Sequence, residues 1–457
     1  MSLKRIILYL PLLLWSVTAF GQTASTALSM QEAIDFAQQN NSNIKISRYD
    51  EEISRQQTNE VKGRGLPQFN INGSFEDRLK LPQLVLPEGF GGAAGAEGGA
   101  IPLGYKFNSS LSGEVTQMIY DQSFWLGLKA AKFRSQLAQQ GTRQVTENTA
   151  YNVASAYYQA IVVQKQLQLL RSNLANTRKT LANSELQLSN GVARRVDVNR
   201  LRVNASNLES QIRQAELNLA QSLNALKFQM GMPQEQPVML RDTVLTFRQD
   251  EAVLANALNN NVYENRIEYQ LLQTNLELQD LDIRNTRSGF FPTLRGFGNY
   301  GYQGQGADFG LFGTANNGWV DYTTSSIGVR LSIPLFDGLQ RNSRVAQSRL
   351  KVKQLEENIN LTKQNINLDI ANALTQYRNT LQRIQAEGQN VDLAEEVYGV
   401  TQLELREGVG TSNNVVEAET ALRQAQNTYI TTLLNLYTAR LDLERAKGTL
   451  LPYLNSK

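Results

Sequence analysis

The stretch ELREGVGTSNNVVEAET, residues 404–420, has a counterpart 217 positions earlier, QLSNGVARRVDVNRLRV at 187–203. Each stretch lies between long runs of helix-forming residues and interrupts them with a glycine, Gly408 in one and Gly191 in the other. Glycine just after the last helical residue is a common way to end a helix, because it adopts the left-handed backbone at little cost. The chain is therefore predicted to reverse direction twice between long helices.

The same offset recurs elsewhere in the chain. Gly231 and Gly448, near the ends of the helical runs that follow, are also 217 positions apart. A constant offset over many residues indicates an internal duplication. The predicted repeats cover about residues 28–233 and 247–452.

Proline positions predict where the helices run. None of the ten prolines falls within 103–232, 238–291 or 335–451, and proline in a helix interior costs about 3 kcal/mol. In the last of these ranges the apolar residues recur every three or four positions, as in a coiled-coil seam. The seam residues are Val352, Leu355, Ile359, Ile366, Ile370, Ala373, Tyr377, Leu381 and Ile384. The predicted helices span about residues 31–64, 124–190, 195–230, 250–288, 338–407 and 413–447.

Two segments between the helices, about 67–120 and 292–336, alternate with a period of two. In the last strand Ile327 and Val329 face one way, and Ser326 and Arg330 face the other. Strands of ten or more residues with one apolar face are typical of outer-membrane barrels. A half-buried soluble sheet is the alternative. The aromatic candidates for the membrane interface are Tyr105, Tyr300, Tyr302 and Tyr322.

The N-terminus predicts export from the cytoplasm. Lys4 and Arg5 precede a short apolar run, and Ala19 and Gly21 occupy the small-residue positions of a cleavage site. This is the pattern of a secretory signal peptide over residues 1–21, with a retained anchor as the alternative. Its removal takes away two positive charges and lowers the net charge from +3 to +1, which gives no electrostatic footprint for nucleic acid.

Composition limits the chemistry. The chain contains neither cysteine nor histidine, which excludes disulfides, cysteine or histidine zinc sites and a Ser-His-Asp triad. We therefore expect no enzyme activity, no catalytic residue, and neither cofactor nor metal.

Four strands per chain cannot close a membrane barrel. The smallest such barrels have about eight strands, and an open sheet edge cannot face lipid. The predicted fold class is thus mainly α with a membrane β-barrel, to which several chains contribute four strands each, continued by long coiled-coil helices.

The duplicated order of helix, hairpin, long helix and shorter helix, with the frames at Gly191 and Gly408, resembles the TolC-like outer-membrane efflux proteins of Gram-negative bacteria. The resemblance covers the mature chain from about Leu28 to Pro452, and it implies that the mature chain, residues 22–457, is a single fold. It implies a homotrimer with a twelve-stranded barrel in outer-membrane lipid and a periplasmic helical tunnel. The implied partners are a periplasmic adaptor protein and an inner-membrane transporter of the RND or ABC type.

The resemblance also implies site residues. By position, the periplasmic aperture falls on Asn414 and Glu417, where family members often carry two acids. The equivalent positions of the first repeat hold Asp197 and Arg200, and Asp197 is a candidate acceptor for a latch between the turns. The expected basic partner is replaced by glycine at position 410, so Arg406 is the alternative partner. The alternative for Glu417 is a solvated acid on a helix face, and the alternative for Asp197 is a first-turn charge that interacts favourably with the helix dipole.

Further residues are implied at the helix tips and in the barrel. The candidate tips for adaptor docking are Gly191, Val192, Gly408, Val409 and Gly410. Glu114 and Arg330 are candidate lumen residues of the barrel, with an ordinary cross-strand salt bridge as the alternative.

The function that follows is a passive outer-membrane exit duct. Two rivals remain at this stage. A type I protein-secretion duct would have the same fold and other partners. A periplasmic coiled-coil scaffold would lack the barrel, and its segments 67–120 and 292–336 would be soluble loops.

Overall fold

A computed structural model describes residues 26–85, 100–241, 262–310 and 318–456. The predicted signal peptide, the middles of both hairpin loops and residues 250–261 of the helix predicted at 250–288 lie outside these residues.

Helices dominate the described chain. The first repeat contains α1 (Met30–Asn40), α2 (Ser42–Gly63), α3 (Gln122–Ser189) and α4 (Arg195–Met230). The second contains α5 (Val262–Asn265), α6 (Ile267–Ser288), α7 (Gln340–Arg406), α8 (Ser412–Ala446) and α9 (Leu450–Asn455). Helices α3 and α7 have 68 and 67 residues, or about 100 Å each at 1.5 Å per residue. The predicted long helices are confirmed to within a few residues.

Glycines in the left-handed conformation end four helices in the same way. Their φ angles are 75° at Gly191, 72° at Gly231, 79° at Gly408 and 70° at Gly448. After α3, the amide of Val192 donates to the carbonyl of residue 187 at 2.8 Å, and the amide of Gly191 donates to the carbonyl of residue 188 at 3.0 Å. The other three ends repeat this pair of bonds, which is the Schellman motif. The 217-residue offset is therefore also an offset of backbone geometry.

Two predicted helices are interrupted. The helix predicted at 250–288 breaks, within its described part, at Arg266, whose backbone is extended (φ −79°, ψ 122°). The expected helix at 31–64 breaks at Asn41, whose backbone is extended (φ −61°, ψ 128°). The Asn41 side chain accepts a hydrogen bond from the amide of Asn43 at 2.8 Å and donates to the carbonyl of Gln229 at 2.7 Å. Local bonds of this kind compete with the helix, and the contact with Gln229 is not visible in local sequence.

The strands form one main sheet and two small pairs. The main sheet contains β2 (Gln68–Asp77), β5 (Phe107–Tyr120), β7 (Thr293–Gly306) and β8 (Val320–Ser332), antiparallel throughout in that order. The small pairs, which were not predicted, are β1 (Thr26–Leu28) with β6 (Val238–Leu240), parallel, and β3 (Gln83–Val85) with β4 (Ala100–Pro102), antiparallel. The sheet contradicts the scaffold reading, in which these segments would be loops.

The register gives the sheet one apolar and one polar face. Ile71 and Ile327 on the apolar face are 80% and 91% exposed. The opposite face carries polar residues in register, such as Asn70, Glu114 and Asn299. The predicted alternation is therefore confirmed, with one exception: Tyr322 lies on the polar face, where its hydroxyl donates to Gln303 at 2.5 Å, so it is not an aromatic of the apolar face.

The chain divides into two compact units. One contains the described residues of 26–44, 146–241 and 370–456, and the other contains those of 45–145 and 262–369. The first unit is helical, with a core around Ile34, Tyr157, Leu226 and Leu441, and the buried Tyr157 hydroxyl donates to the carbonyl of Leu28 at 2.9 Å. The second unit holds the main sheet. Among the described residues, no helix is long and apolar enough to cross a membrane.

The helix-ending glycines allow a matched test. A Cβ at Gly191 would meet nothing within 4 Å, whereas a Cβ at Gly231 would lie 2.8 Å from the Asn40 carbonyl oxygen and the Asn41 Cα. We expect Gly191→Ala to cost about 1–2 kcal/mol from the left-handed backbone alone. Gly231→Ala adds an overpacking cost of roughly 1–3 kcal/mol.

Thermal unfolding of the two purified variants, followed by helical circular dichroism, measures the difference. The Gly231 variant should unfold at the lower temperature. Equal midpoints would show that the packing of Gly231 against residues 40 and 41 is not tight.

Candidate functional site

Two turns, after α3 and after α7, together with the helix ends beside them, hold most of the predicted site residues. Val192 and Val409 occupy equivalent places in these turns and are 70% and 81% exposed. Gly410 is held by close packing, because a Cβ there would lie 2.9 Å from the Glu404 Cβ. A side chain at position 410 would require these neighbours to shift, so the turn disfavours the expected basic residue.

A buried hydrogen bond joins the starts of α4 and α8. The Ser412 hydroxyl, which is fully buried, donates to Asp197 Oδ1 at 2.6 Å. Asp197 Oδ2 accepts from Arg194 Nε at 2.9 Å, and Arg200 Nη1 lies 3.9 Å from Oδ1. The bond crosses between residues 215 positions apart.

The same contacts keep Asp197 charged. The hydrogen bond from Ser412, followed by the hydrogen bond and charge of Arg194 and the charge of Arg200, holds the pKa of the Asp197 carboxyl below its ordinary value against the opposing effect of burial. A lowered pKa in the folded state stabilises the fold above the unfolded value of about 3.9. That contribution is lost as the pH falls through the lowered pKa.

Arg406 is not the partner of Asp197. Its side chain pairs with the neighbouring Glu407, at 3.2 Å, and is exposed. Its backbone carbonyl instead accepts a hydrogen bond from Gln187 Nε2 at 3.2 Å. The contact between the turns therefore runs through Ser412 and the Arg406 backbone, and the expectation of an Arg406 ion pair to Asp197 is corrected.

The two aperture candidates lie on the first turns of α8. Thr411 caps this helix by accepting a hydrogen bond from the Asn414 amide at 3.3 Å. The side chains of Asn414 and Glu417 are exposed, and Glu417 accepts a bond from Asn413 at 2.5 Å. Both side chains are therefore accessible to a neighbouring chain or to water.

A buried carboxyl in the same unit was not predicted from the sequence. Glu419 is 2% exposed and accepts hydrogen bonds from Thr177 Oγ1 of α3 and Asn204 Nδ2 of α4, both at 2.7 Å. Burial raises its pKa, while the two donors and Arg423 oppose the rise. Glu419 occupies a seam position of α8 between the buried Val415 and Leu422. An acid in an apolar series was the signal that could have revealed it.

The polar face of the main sheet borders a cavity of about 720 Å³, and both lumen candidates, Glu114 and Arg330, line it. They do not form a salt bridge. Glu114 on β5 is in register with Asn299 on β7, whereas Arg330 on β8 is in register with Arg295. Strand β7 lies between the two residues, and their positions along the strands differ by four residues. The salt-bridge alternative is therefore wrong.

These features together define a class of protein. An exposed apolar sheet face opposite a polar cavity is the arrangement of a membrane-embedded channel wall, and helices of about 100 Å extend far beyond the needs of a globular core. Residues 107–232 and 258–449 match the family model described as "Outer membrane efflux protein". The chain belongs to this family.

Known relatives agree over most of their length. Outer membrane protein TolC of Salmonella enteritidis is 23% identical over 98% of this chain and 87% of its own. The alkaline protease secretion protein AprF of Pseudomonas aeruginosa is 21% identical over 68% of this chain and 63% of its own. The crystal structure of CusC, whose description includes transmembrane channel formation, superposes with a TM-score of 0.71 at 17% identity, covering 94% of this chain and 95% of that one.

The family assigns location and architecture. The protein is an outer-membrane efflux duct of the Gram-negative type, with a large periplasmic part. Each chain contributes its four strands to a β-barrel and its long helices to a tunnel. The family is one of efflux-system channels.

The buried contacts of Glu419 are expected to contribute to the free energy of unfolding. Glu419→Ala leaves the Thr177 hydroxyl and the Asn204 amide without their acceptor in a buried place, at about 1–3 kcal/mol for each unsatisfied group. A raised folded pKa means that protonation favours the folded state. The contribution of Glu419 to stability should therefore grow as the pH falls from neutral towards the unfolded value of about 4.3.

Thermal midpoints of the wild type and the variant, measured at neutral and acidic pH, test both statements. Glu417→Ala, two residues away and exposed, is the matched control and should stay within about 0.5 kcal/mol. A Glu419 variant as stable as this control would contradict the assignment.

Proposed function

We propose that three copies of this chain form one duct, which passively conducts cargo across the outer membrane. The observation that carries the proposal is the unfinished sheet. Among the described residues, strand β2 pairs only with β5 and β8 pairs only with β7, so both edges offer free amides and carbonyls. An edge of this kind cannot face lipid. Pairing β8 of one copy with β2 of the next removes both edges once the ring closes.

The number of copies follows from the strand count and the family. Two copies would give eight strands and a lumen filled by side chains, whereas three give twelve and a wider lumen. The polar faces of all copies then line the interior, and the exposed apolar faces contact lipid. The likeness to TolC over nearly the whole chain supports the homotrimer.

Energy and cargo come from partners in this proposal. The duct receives cargo from an inner-membrane transporter of the RND or ABC type, through a periplasmic adaptor protein. The two turns form the periplasmic mouth, and the exposed Val192 and Val409 offer small apolar contacts for helical tips of the adaptor. Asn414 and Glu417 ring the aperture, where three carboxylates attract cations and resist closure.

The Asp197–Ser412 bond serves as the latch of this mouth. A hydrogen bond to an ionised group contributes about 1.5–3 kcal/mol, and three copies add their contributions around the aperture. The bond ties α8, which carries the aperture residues, to α4 of the same chain.

Protein secretion is the second candidate function. It is favoured by the match to AprF, whose name describes alkaline protease secretion. The two functions would share duct, barrel and mouth and would differ in the transporter that co-purifies with the chain.

The barrel proposal is tested on adjacent residues of β8. Ile327→Arg places a charge on the lipid face, at about 2–4 kcal/mol near the bilayer centre. Ser326→Arg places the same charge on the polar face, where water solvates it. We expect Ile327→Arg to reduce the yield of folded trimers in the outer-membrane fraction and Ser326→Arg to leave it near wild type.

Heat-modifiable migration on gels measures the folded trimer. Equal yields for the two variants would contradict the assignment of the apolar face to lipid.

The latch proposal is tested by conductance. Asp197→Asn weakens the bond by removing its charge, and Ser412→Ala removes the donor. Each variant should raise the closed-state conductance of single channels in planar bilayers. Because both substitutions act on one bond, the double variant should add little to either single variant.

Glu417→Gln is the matched control at the same mouth. It should lower cation selectivity and, because it removes repulsion that resists closure, should not raise the closed-state conductance. Wild-type conductance in both latch variants would remove the latch role, and unchanged selectivity in Glu417→Gln would remove the aperture ring.

A further inference from the structure

The cavity on the polar face of the sheet carries an excess of positive charge. It is bordered by the sheet and by residues of α2, α3 and α6. Its arginines are Arg64, Arg134, Arg295 and Arg330. Its carboxylates are Glu114, Asp121 and Asp282.

Two of these arginines occupy directly opposite positions. Arg295 on β7 and Arg330 on β8 are register partners on the same face, and the next residue in the row is Met118 on β5. Like charges placed directly opposite on neighbouring strands destabilise a sheet. The row contains no carboxylate to offset them. Glu114, on the same face, lies four residues from Met118 along β5, which is roughly 13 Å.

Arg330 is held in place by an aromatic ring. Its guanidinium carbon lies 5.2 Å from the centre of the Phe297 ring, a cation–π distance. The ring occupies the space beside Gly328, where a Cβ would lie 2.9 Å from it. Glycine at this position thus makes room for the ring that orients the guanidinium, and the five donors of the guanidinium remain available.

The other charges of the cavity are largely engaged. Asp282 accepts hydrogen bonds from Ser348 at 2.9 Å and from Gln279 at 3.1 Å. Asp121 accepts from the amide and hydroxyl of Ser123, and Arg64 pairs with Glu60 at 2.8 Å. Within the described residues, neither Arg295 nor Arg330 forms an ion pair. Arg134 on α3 forms no ion pair within those residues either, but Arg295 and Arg330 are the two unpaired cations that share one row of the sheet.

From these observations we propose that Arg295 and Arg330 form a binding subsite for the carboxylate or phosphate groups of anionic cargo. Guanidinium groups bind such anions through paired, charge-assisted hydrogen bonds. The subsite rests on the proposed trimeric duct, in which three arginine pairs face one lumen. Rings of arginine favour anions in pores. Because the pair lies on the face opposite Ile327 and Val329, the anion arrives from the lumen and not from lipid.

Planar-bilayer recordings of the full-length protein test the subsite, with pyrophosphate as the probe. The wild type should show reduced KCl current when pyrophosphate is added. In R295Q/R330Q the block should weaken roughly severalfold, and the chloride-to-potassium permeability ratio should fall. R295K/R330K keeps the charge and loses the planar fork, so it should retain the permeability ratio while its block weakens.

Control variants separate this subsite from general effects. Glu114→Gln, of opposite charge on the same face, should raise the chloride preference. Arg213→Gln on α4 removes an exposed arginine outside the cavity and should behave as wild type. The single variants R295Q and R330Q, each expected to show an intermediate block, replace the double variant should it fail to fold.

The outcomes distinguish two failures. Channels whose pyrophosphate block and selectivity are unchanged in the arginine variants would overturn the subsite and leave the duct intact. Failure of the wild type to form channels at all would contradict the proposed function itself.

Discussion

A backbone amide or carbonyl in lipid must have a hydrogen-bond partner, and this constraint governs the rest of the molecule. Within the part of the chain that the structure describes, the main sheet has four strands, an apolar face on which Ile71 and Ile327 are exposed, and two edges without a neighbour. Each unpaired group costs several kcal/mol in hydrocarbon. A sheet of this kind is stable in a membrane only as part of a closed ring, so the barrel requires further copies of the chain. The polar face then becomes the wall of a lumen.

Four helices end in the same local backbone structure. Gly191, Gly231, Gly408 and Gly448 end their helices with the same pair of backbone bonds. The duplication preserved this backbone geometry and changed the side chains around it. Ser412 and Glu419, which make buried contacts, correspond by offset to Arg195 and Arg202 of the first repeat, and Arg202 forms an exposed ion pair with Glu185 at 2.7 Å. The two turns therefore have one backbone and different chemistry.

Buried polar contacts join α3, α4 and α8 in the first unit. Glu419 ties α8 to α3 and α4, and Asp197 ties α4 to α8. Burial raises the pKa of Glu419, whereas hydrogen-bond donors lower the pKa of Asp197. The contributions of the two carboxyls to stability therefore change with pH in opposite directions. Acid removes the stabilisation from the charged Asp197 only as the pH falls through its lowered pKa, whereas protonation of Glu419 relieves the cost of burying its carboxylate.

The sequence by itself determined the helices, the two reversals, the alternation of the strands and the need for several chains. These features depend on periodicity, proline and glycine, whose effects extend over a few residues. Tertiary structure alone decided the break at Asn41, the parallel pairing of β1 with β6, the Asp197–Ser412 bond and the meeting of Arg295 with Arg330. Each of these joins residues at least 35 positions apart, and no local pattern specifies which distant partner a side chain will meet.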